Sequence, residues 1–160
     1  MLVYLVRHGE AVSEREDPSR PLSRKGETDI REMADLLTRY FTWMPGYIYH
    51  SSKSRAIQTA SILREALPHV LAAEEAEGLL PMDDPGVWAQ RLETMDLDTL
   101  LVGHLPHLTR LASLLLVRDS GIQILDFAPG AVVCLEKTGG WRVKWMISPD
   151  TLKNAGCPGL

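Results

Sequence analysis

Leu2-Val3-Tyr4-Leu5-Val6-Arg7-His8-Gly9 is the stretch that decides how this chain folds. Its first part, Leu2 to Val6, is a near-continuous apolar run without polar alternation, which predicts a strand covered on both faces in a parallel sheet. Five residues are too few for a membrane span or a signal-peptide core, and the run meets Arg7 and His8 at once. In sheets of this kind ligands bind beyond the carboxyl ends of strands. Arg7-His8-Gly9 falls at such an end.

Two more strand-to-helix units follow the same plan. From Gly26 onward Ile30, Met33, Ala34, Leu37 and Phe41 fall at helical spacing, and Pro45-Gly46 is a turn signal before a strand over Tyr47 to His50. Ser54 is predicted to cap a helix whose apolar face is Ala56, Ile57, Ala60, Leu63 and Leu67, ended by Pro68. Val70 to Ala73 reads as a short strand, followed by an acidic loop and a short helix near Val87 to Leu92. Asp98 to Val102 is again a buried-type strand. Gly103-His104 then leads into a helix with Leu108, Leu111, Ala112 and Leu115 on its core face and Pro106 in its first turn. Late strands over Val132 to Glu136 and Arg142 to Ile147 flank Gly139-Gly140 as a hairpin. The alternation predicts an α/β three-layer sandwich, a mostly parallel central sheet with helices on both faces, as one domain over residues 1–160.

Composition bounds the partners. The 160 residues are 45% hydrophobic and 24% charged, enough for a real core, and the formal charge is −4. A nucleic-acid binder needs a basic face, so nucleic acid is not an expected partner, and neither is a membrane. Cys134 and Cys157 show no CxxC or zinc spacing, so no metal and no cofactor are expected, and reduced thiols suit a cytoplasmic protein.

Three strand ends carry the chemistry: Arg7-His8-Gly9, Ser51 to Arg55, and Gly103-His104. Arg7 and Arg55 supply planar forks matched to phosphate, and helices opening near Ser54 and Leu105 add positive dipole ends. Neutral imidazole has a free lone pair and forms a phosphoramidate that water hydrolyses, so His8 is the expected nucleophile. Nearby arginines should lower its pKa. Gly9 lets the backbone approach closely, and His104 is placed to donate to phosphoryl oxygens.

At this point the sequence resembles the histidine phosphatase superfamily, also called phosphoglycerate mutase-like, and within it the short bacterial SixA-type phosphohistidine phosphatases. Arg7-His8-Gly9 is similar to its RHG signature, Pro21-Leu22-Ser23-Arg24-Lys25-Gly26 to its PLT-x-x-G segment, and Ser51 to Ala60 to its SP-x-x-RA-x-QTA segment. Val102 to Pro106 resembles the second-histidine motif, and Trp145 to Ala155 the SixA-type ending. A lone RHG would arise by chance in on the order of a per cent or two of chains this long. The ordered set is far more specific. Ser52 departs from the usual Pro.

The resemblance implies a metal-independent phosphatase acting through a phosphohistidine intermediate at His8, with Arg7, Gly9, Ser51, Arg55 and His104 around the phosphate. Its expected substrate is phosphohistidine on a signalling or phosphotransfer protein, with inorganic phosphate as product. Larger members carry a carboxylic acid that protonates the leaving group. Glu77 and Asp83 are the nearest candidates here, and neither lies in a clear motif. Protonated phosphohistidine leaves as neutral imidazole and needs little such help. The alternatives are a small-molecule phosphomonoesterase of the same superfamily and a non-catalytic phosphoprotein-binding module. His50, His69 and His107 are read as ordinary histidines, and Leu108, Leu111 and Leu115 as core.

Overall fold

The computed structural model of the chain describes residues 1–41 and 43–154. Ala155 and Cys157 lie outside the described residues. In chain order the elements are β1 (Leu2–Arg7), α1 (Arg24–Tyr40), β2 (Tyr47–His50), α2 (Ser54–Ala66), β3 (Ala72–Glu75), α3 (Pro85–Thr94), β4 (Thr99–Gly103), α4 (His107–Val117), β5 (Val132–Lys137), β6 (Trp141–Ile147) and α5 (Pro149–Asn154).

The six strands form one sheet in the order β3-β2-β4-β1-β5-β6. The β3, β2, β4 and β1 neighbours are parallel, while β5 runs antiparallel to β1 and β6 antiparallel to β5. The fold is therefore the expected α/β sandwich, with a mixed sheet whose parallel half carries the informative motifs.

Alternation along β1 sorts the two apolar layers. Tyr4 and Val6 pack with Ile30, Met33 and Leu37 of α1, Ala60 and Leu63 of α2, and Leu152 of α5. Val3 and Leu5 face Trp88 and Leu92 of α3 and Leu108, Leu111 and Leu115 of α4. All four strand residues are fully buried, which is why the run lacks polar alternation. Each large apolar side chain so buried contributes roughly 1.5–3 kcal/mol. On α1, Asp29 is buried and accepts from Lys25 Nζ at 2.7 Å and Lys153 Nζ at 2.6 Å, which ties α5 to α1.

Several boundaries differ from the sequence reading. The third strand lies over Ala72–Glu75, two residues later than predicted, because it pairs with β2 in the register Tyr47–Ala72 to His50–Glu75. Ser54 is the first residue of α2 and not its cap; Lys53 holds that position without a side-chain cap bond. The fourth strand starts at Thr99, since Asp98 instead accepts from the Leu2 N–H at 2.6 Å. Pro106 is the N-cap of α4, following a cis Leu105–Pro106 peptide, so that helix opens at His107 and not at Leu105. The helix near Val87 to Leu92 extends over Pro85–Thr94 because the Asp84 side chain accepts from the Gly86 N–H.

Candidate active site

Strand β4 lies between β1 and β2, yet its helix α4 packs on the opposite sheet face from α1 and α2. Chain leaving neighbouring strands toward opposite faces opens a crevice at their carboxyl ends. The crossings are tied there by backbone hydrogen bonds: His8 N donates to Gly103 O at 3.1 Å, and Ser51 N donates to Val102 O at 3.2 Å. All three motif-bearing strand ends therefore meet.

The His8 ring is held by two partners that define its tautomer. Its Nδ1 lies 2.7 Å from Gly9 O, which can only accept, so Nδ1 carries the proton. Arg55 Nε, which can only donate, lies 3.1 Å from Nε2, so Nε2 presents the lone pair. Burial pushes the His8 pKa down to about 4, against the pull of Gly9 O, and the charges of Arg55, Arg7 and Arg20 act in the same direction as burial. Nε2 of His8 is unprotonated at neutral pH.

The rings of His8 and His104 are 4.9 Å apart between centroids. His104 is 1% exposed, and its Nε2 shares a hydrogen bond with Ser51 Oγ. That hydroxyl also accepts from Lys53 N at 3.3 Å and keeps both a proton and a second lone pair for the histidine. Nδ1 of His104 is buried with no partner among the described residues. Burial, followed by the charges of His8, Arg55 and Lys53, lowers the His104 pKa to about 3. His104 is therefore a neutral ring at physiological pH, lying beside His8.

Arg7 donates through Nη1 to Phe127 O, which fixes the guanidinium, while its Nε is buried without a partner among the described residues. Burial lowers its pKa and the Asp126 carboxylate opposes that. Arg55 is 8% exposed, and burial together with the Arg20 charge lowers its pKa.

The α2 residues after Arg55 hold the frame. Thr59 Oγ1 donates to Arg55 O at 2.7 Å and accepts from Gly9 N at 3.2 Å, so one hydroxyl joins the two motifs. Gln58 Oε1 accepts from Leu22 N at 2.7 Å. A Cβ on Gly26 would lie 2.0 Å from Glu10 O, and one on Gly9 would lie 2.9 Å from Ile30 Cγ1. The glycines of both motifs are needed for close packing of the β1 exit against α1. The sequence reading named these motifs but not the bonds; it gave Lys53 no role of its own and did not single out Arg20.

Glu77 and Asp83 are not brought to His8 by any hydrogen bond. Both line a cavity of about 440 Å³ that also includes Ser52, Gly78, Val87 and Arg91. The backbone carbonyl of Glu77 accepts from Trp88 Nε1 and Arg91 Nη1, and the Asp83 carboxylate accepts from Leu80 N at 2.8 Å. His107 is fully buried, with neither ring nitrogen paired among the described residues.

Residues 3–104 match the profile of the histidine phosphatase superfamily, branch 1. This chain is 35% identical over 130 residues to an uncharacterized protein of Picosynechococcus sp., covering 76% of each. It is 27% identical over 166 aligned positions to the phosphohistidine phosphatase SixA of Escherichia coli, covering 97% of this chain and 98% of that one. The solved structure of the protein histidine phosphatase SixA complexed with tungstate superposes with a TM-score of 0.83 at 27% identity, covering 95% of this chain and 99% of that one. A phosphoserine phosphatase of Entamoeba histolytica shares the fold at 14% identity, with a TM-score of 0.70 over 94% of this chain and 98% of that one.

The chain belongs to the histidine phosphatase superfamily, a class of phosphatase hydrolases. Within that class its end-to-end similarity is to the SixA type. Among the described residues no helix is long and apolar enough to cross a membrane.

Proposed function

We propose that this protein removes the phosphoryl group from phosphohistidine on a signalling or phosphotransfer protein, through a phosphoenzyme at His8. The observation that carries the reading is the Arg55 Nε to His8 Nε2 contact of 3.1 Å with the His104 ring 4.9 Å from that of His8. A lone-pair nitrogen, a guanidinium and a neutral donor then surround one point.

In the first step Nε2 of His8 attacks phosphorus and the P–N bond of a phosphohistidine protonated on its other ring nitrogen breaks, the electron pair returning to an imidazole that leaves neutral. Gly9 O, already bonded to Nδ1–H, stabilises the positive charge that develops on the His8 ring. Arg7, Arg55 and His104, its Nδ1 protonated while Ser51 Oγ donates to Nε2, would hold the equatorial oxygens as charge redistributes. In the second step water attacks phosphorus, the P–Nε2 electrons return to His8, a proton leaves to solvent, and inorganic phosphate departs. No acid is needed for a leaving group that departs as a neutral imidazole.

The test is incubation with a phosphohistidine-bearing phosphotransfer protein in the presence of chelator. Label should leave the partner, and a mid-reaction quench should trap an acid-labile, base-stable phosphoenzyme that His8→Ala lacks. Retained label beside rapid turnover of small phosphate esters would reject the substrate.

One observation favours a second reading, a small-molecule phosphomonoesterase: the cavity lined by Glu77 and Asp83 meets the Ser51 to Arg55 segment at Ser52. Under that reading Glu77→Gln or Asp83→Asn lowers kcat on a phosphate ester by about 10²-fold or more, the loss of a general acid. Under the phosphohistidine reading both variants turn over normally.

A further inference from the structure

We infer that Arg20 is a further phosphoryl-binding side chain of this site, reaching the transferred group from the loop between β1 and α1. The inference rests on the phosphoryl site proposed above and not on the choice of phosphohistidine as substrate.

The loop is fastened where Arg20 sits. Val12 N donates to Pro21 O at 3.0 Å, Arg20 N donates to Asp17 O at 2.9 Å, and Leu22 N donates to Gln58 Oε1 at 2.7 Å. Gln58 lies three residues beyond Arg55 on α2, so the last bond holds the loop against the helix face that presents Arg55. Arg20 itself adopts φ +49°, a left-handed conformation that costs a non-glycine residue about 1 kcal/mol and persists only where the surroundings impose it.

Its side chain is anchored but not consumed. Nε donates to Val12 O at 3.3 Å, and the two Nη groups make no hydrogen bond among the described residues. No carboxylate of the described residues forms an ion pair with it, although Arg31 has two and Arg118 and Arg142 have one each. A half-buried guanidinium held at one end, with its planar fork free, is matched to a tetrahedral anion.

Electrostatics place it in the right company. The Arg20 charge weakens proton binding at both His8 and Arg55, so the three groups share one field. Arg7 feels the opposing carboxylate of Asp126, whereas the charged neighbour of Arg55 is Arg20, another cation. Like charges gathered around a nucleophile repel one another unless an anion sits among them. A phosphoryl dianion, and its five-coordinate transition state still more, removes that repulsion.

The experiment measures orthovanadate affinity by ligand-induced thermal stabilisation, which needs no turnover. Arg20→Gly deletes the side chain while suiting the left-handed backbone, so the loop keeps its path. Arg20→Lys keeps the charge without the fork, and Arg15→Ala, at an exposed position of the same loop, is the control. Arg20→Gly should bind vanadate roughly 10- to 100-fold more weakly than wild type, the loss expected for charge-assisted hydrogen bonds, with Arg20→Lys between them and Arg15→Ala unchanged. Wild-type binding of vanadate with both Arg20 variants within about twofold of it would overturn the role of Arg20 alone. Failure of the wild-type protein to bind vanadate would overturn the phosphoryl site and this inference with it.

Discussion

Arg55 donates its Nε–H to Nε2 of His8 across 3.1 Å, joining residues 47 positions apart. The contact aims the lone pair of His8, the proposed nucleophile, at the guanidinium proposed to grip the phosphoryl oxygens. In the proposed mechanism one N–H serves twice: it orients the resting imidazole, and it turns to the anion when substrate arrives.

Replacement of Arg55 should separate these roles. Arg55→Lys keeps a charge but loses the Nε–H and the fork, and kcat/KM should fall by roughly 10²- to 10³-fold, as for other donors to transition-state charge. Arg55→Ala should also raise the His8 pKa above its wild-type value of about 4, because the Arg55 charge is one of the causes that lower it. An NMR titration of His8 that does not move would contradict the proposed orientation.

Acid should weaken the fold through its buried histidines. His8, His104 and His107 titrate near 4, 3 and 4, held down chiefly by burial, against 6.5 for an unperturbed histidine. Between those values the unfolded chain binds more protons than the folded one, so unfolding free energy falls as pH drops below about 6.5 and levels off once the folded-state groups protonate. Urea midpoints measured between about pH 7.5 and about pH 5 should decline, and the decline should be shallower in His8→Asn. Equal slopes would show that His8 is not held neutral by the fold.

Thr59→Val removes the hydroxyl that bonds both Arg55 O and Gly9 N while keeping the volume nearly constant. The buried Gly9 N–H then lacks its partner, at a cost of about 1–3 kcal/mol. Chemical denaturation should register that loss, and kcat should fall more than KM rises, because Gly9 O sets the His8 tautomer. Wild-type kcat in a destabilised variant would assign Thr59 to stability alone.

Gly26→Ala brings a methyl group to 2.0 Å from Glu10 O, a backbone atom that cannot swing aside. Destabilisation of about 1–3 kcal/mol or more is expected from such overpacking. Displacement of the β1 exit should lower activity as well. An unperturbed melting temperature would mean that α1 shifts freely against Glu10.

Much of this architecture was legible locally. The second strand lies over Tyr47–His50 as predicted, and the core face of α4 is formed by Leu108, Leu111 and Leu115, because burial on a periodic element leaves its mark within a few residues. Boundaries set by a partner were not so legible. β3 begins at Ala72 because that is where β2 offers its hydrogen bonds, and nothing in Val70-Leu71-Ala72-Ala73 records the register. Ser54 has the chemistry of a cap, yet the chain enters α2 one residue earlier.

The amino-acid order by itself determined the candidate reactive groups and the kind of element that carries each one: Arg7 and His8 at the end of a buried strand, Arg55 at the start of a helix, His104 after another strand. Only the tertiary structure decided that β4 inserts between β1 and β2, that His8 keeps its proton on Nδ1, and that Arg20 brings into the same field a guanidinium without an ion pair among the described residues. Apolar periodicity is a property of neighbours along the chain. Strand order, tautomer and charge clustering are properties of neighbours in space, where hydrogen bonds and Coulomb forces act across sequence separations that no local pattern encodes.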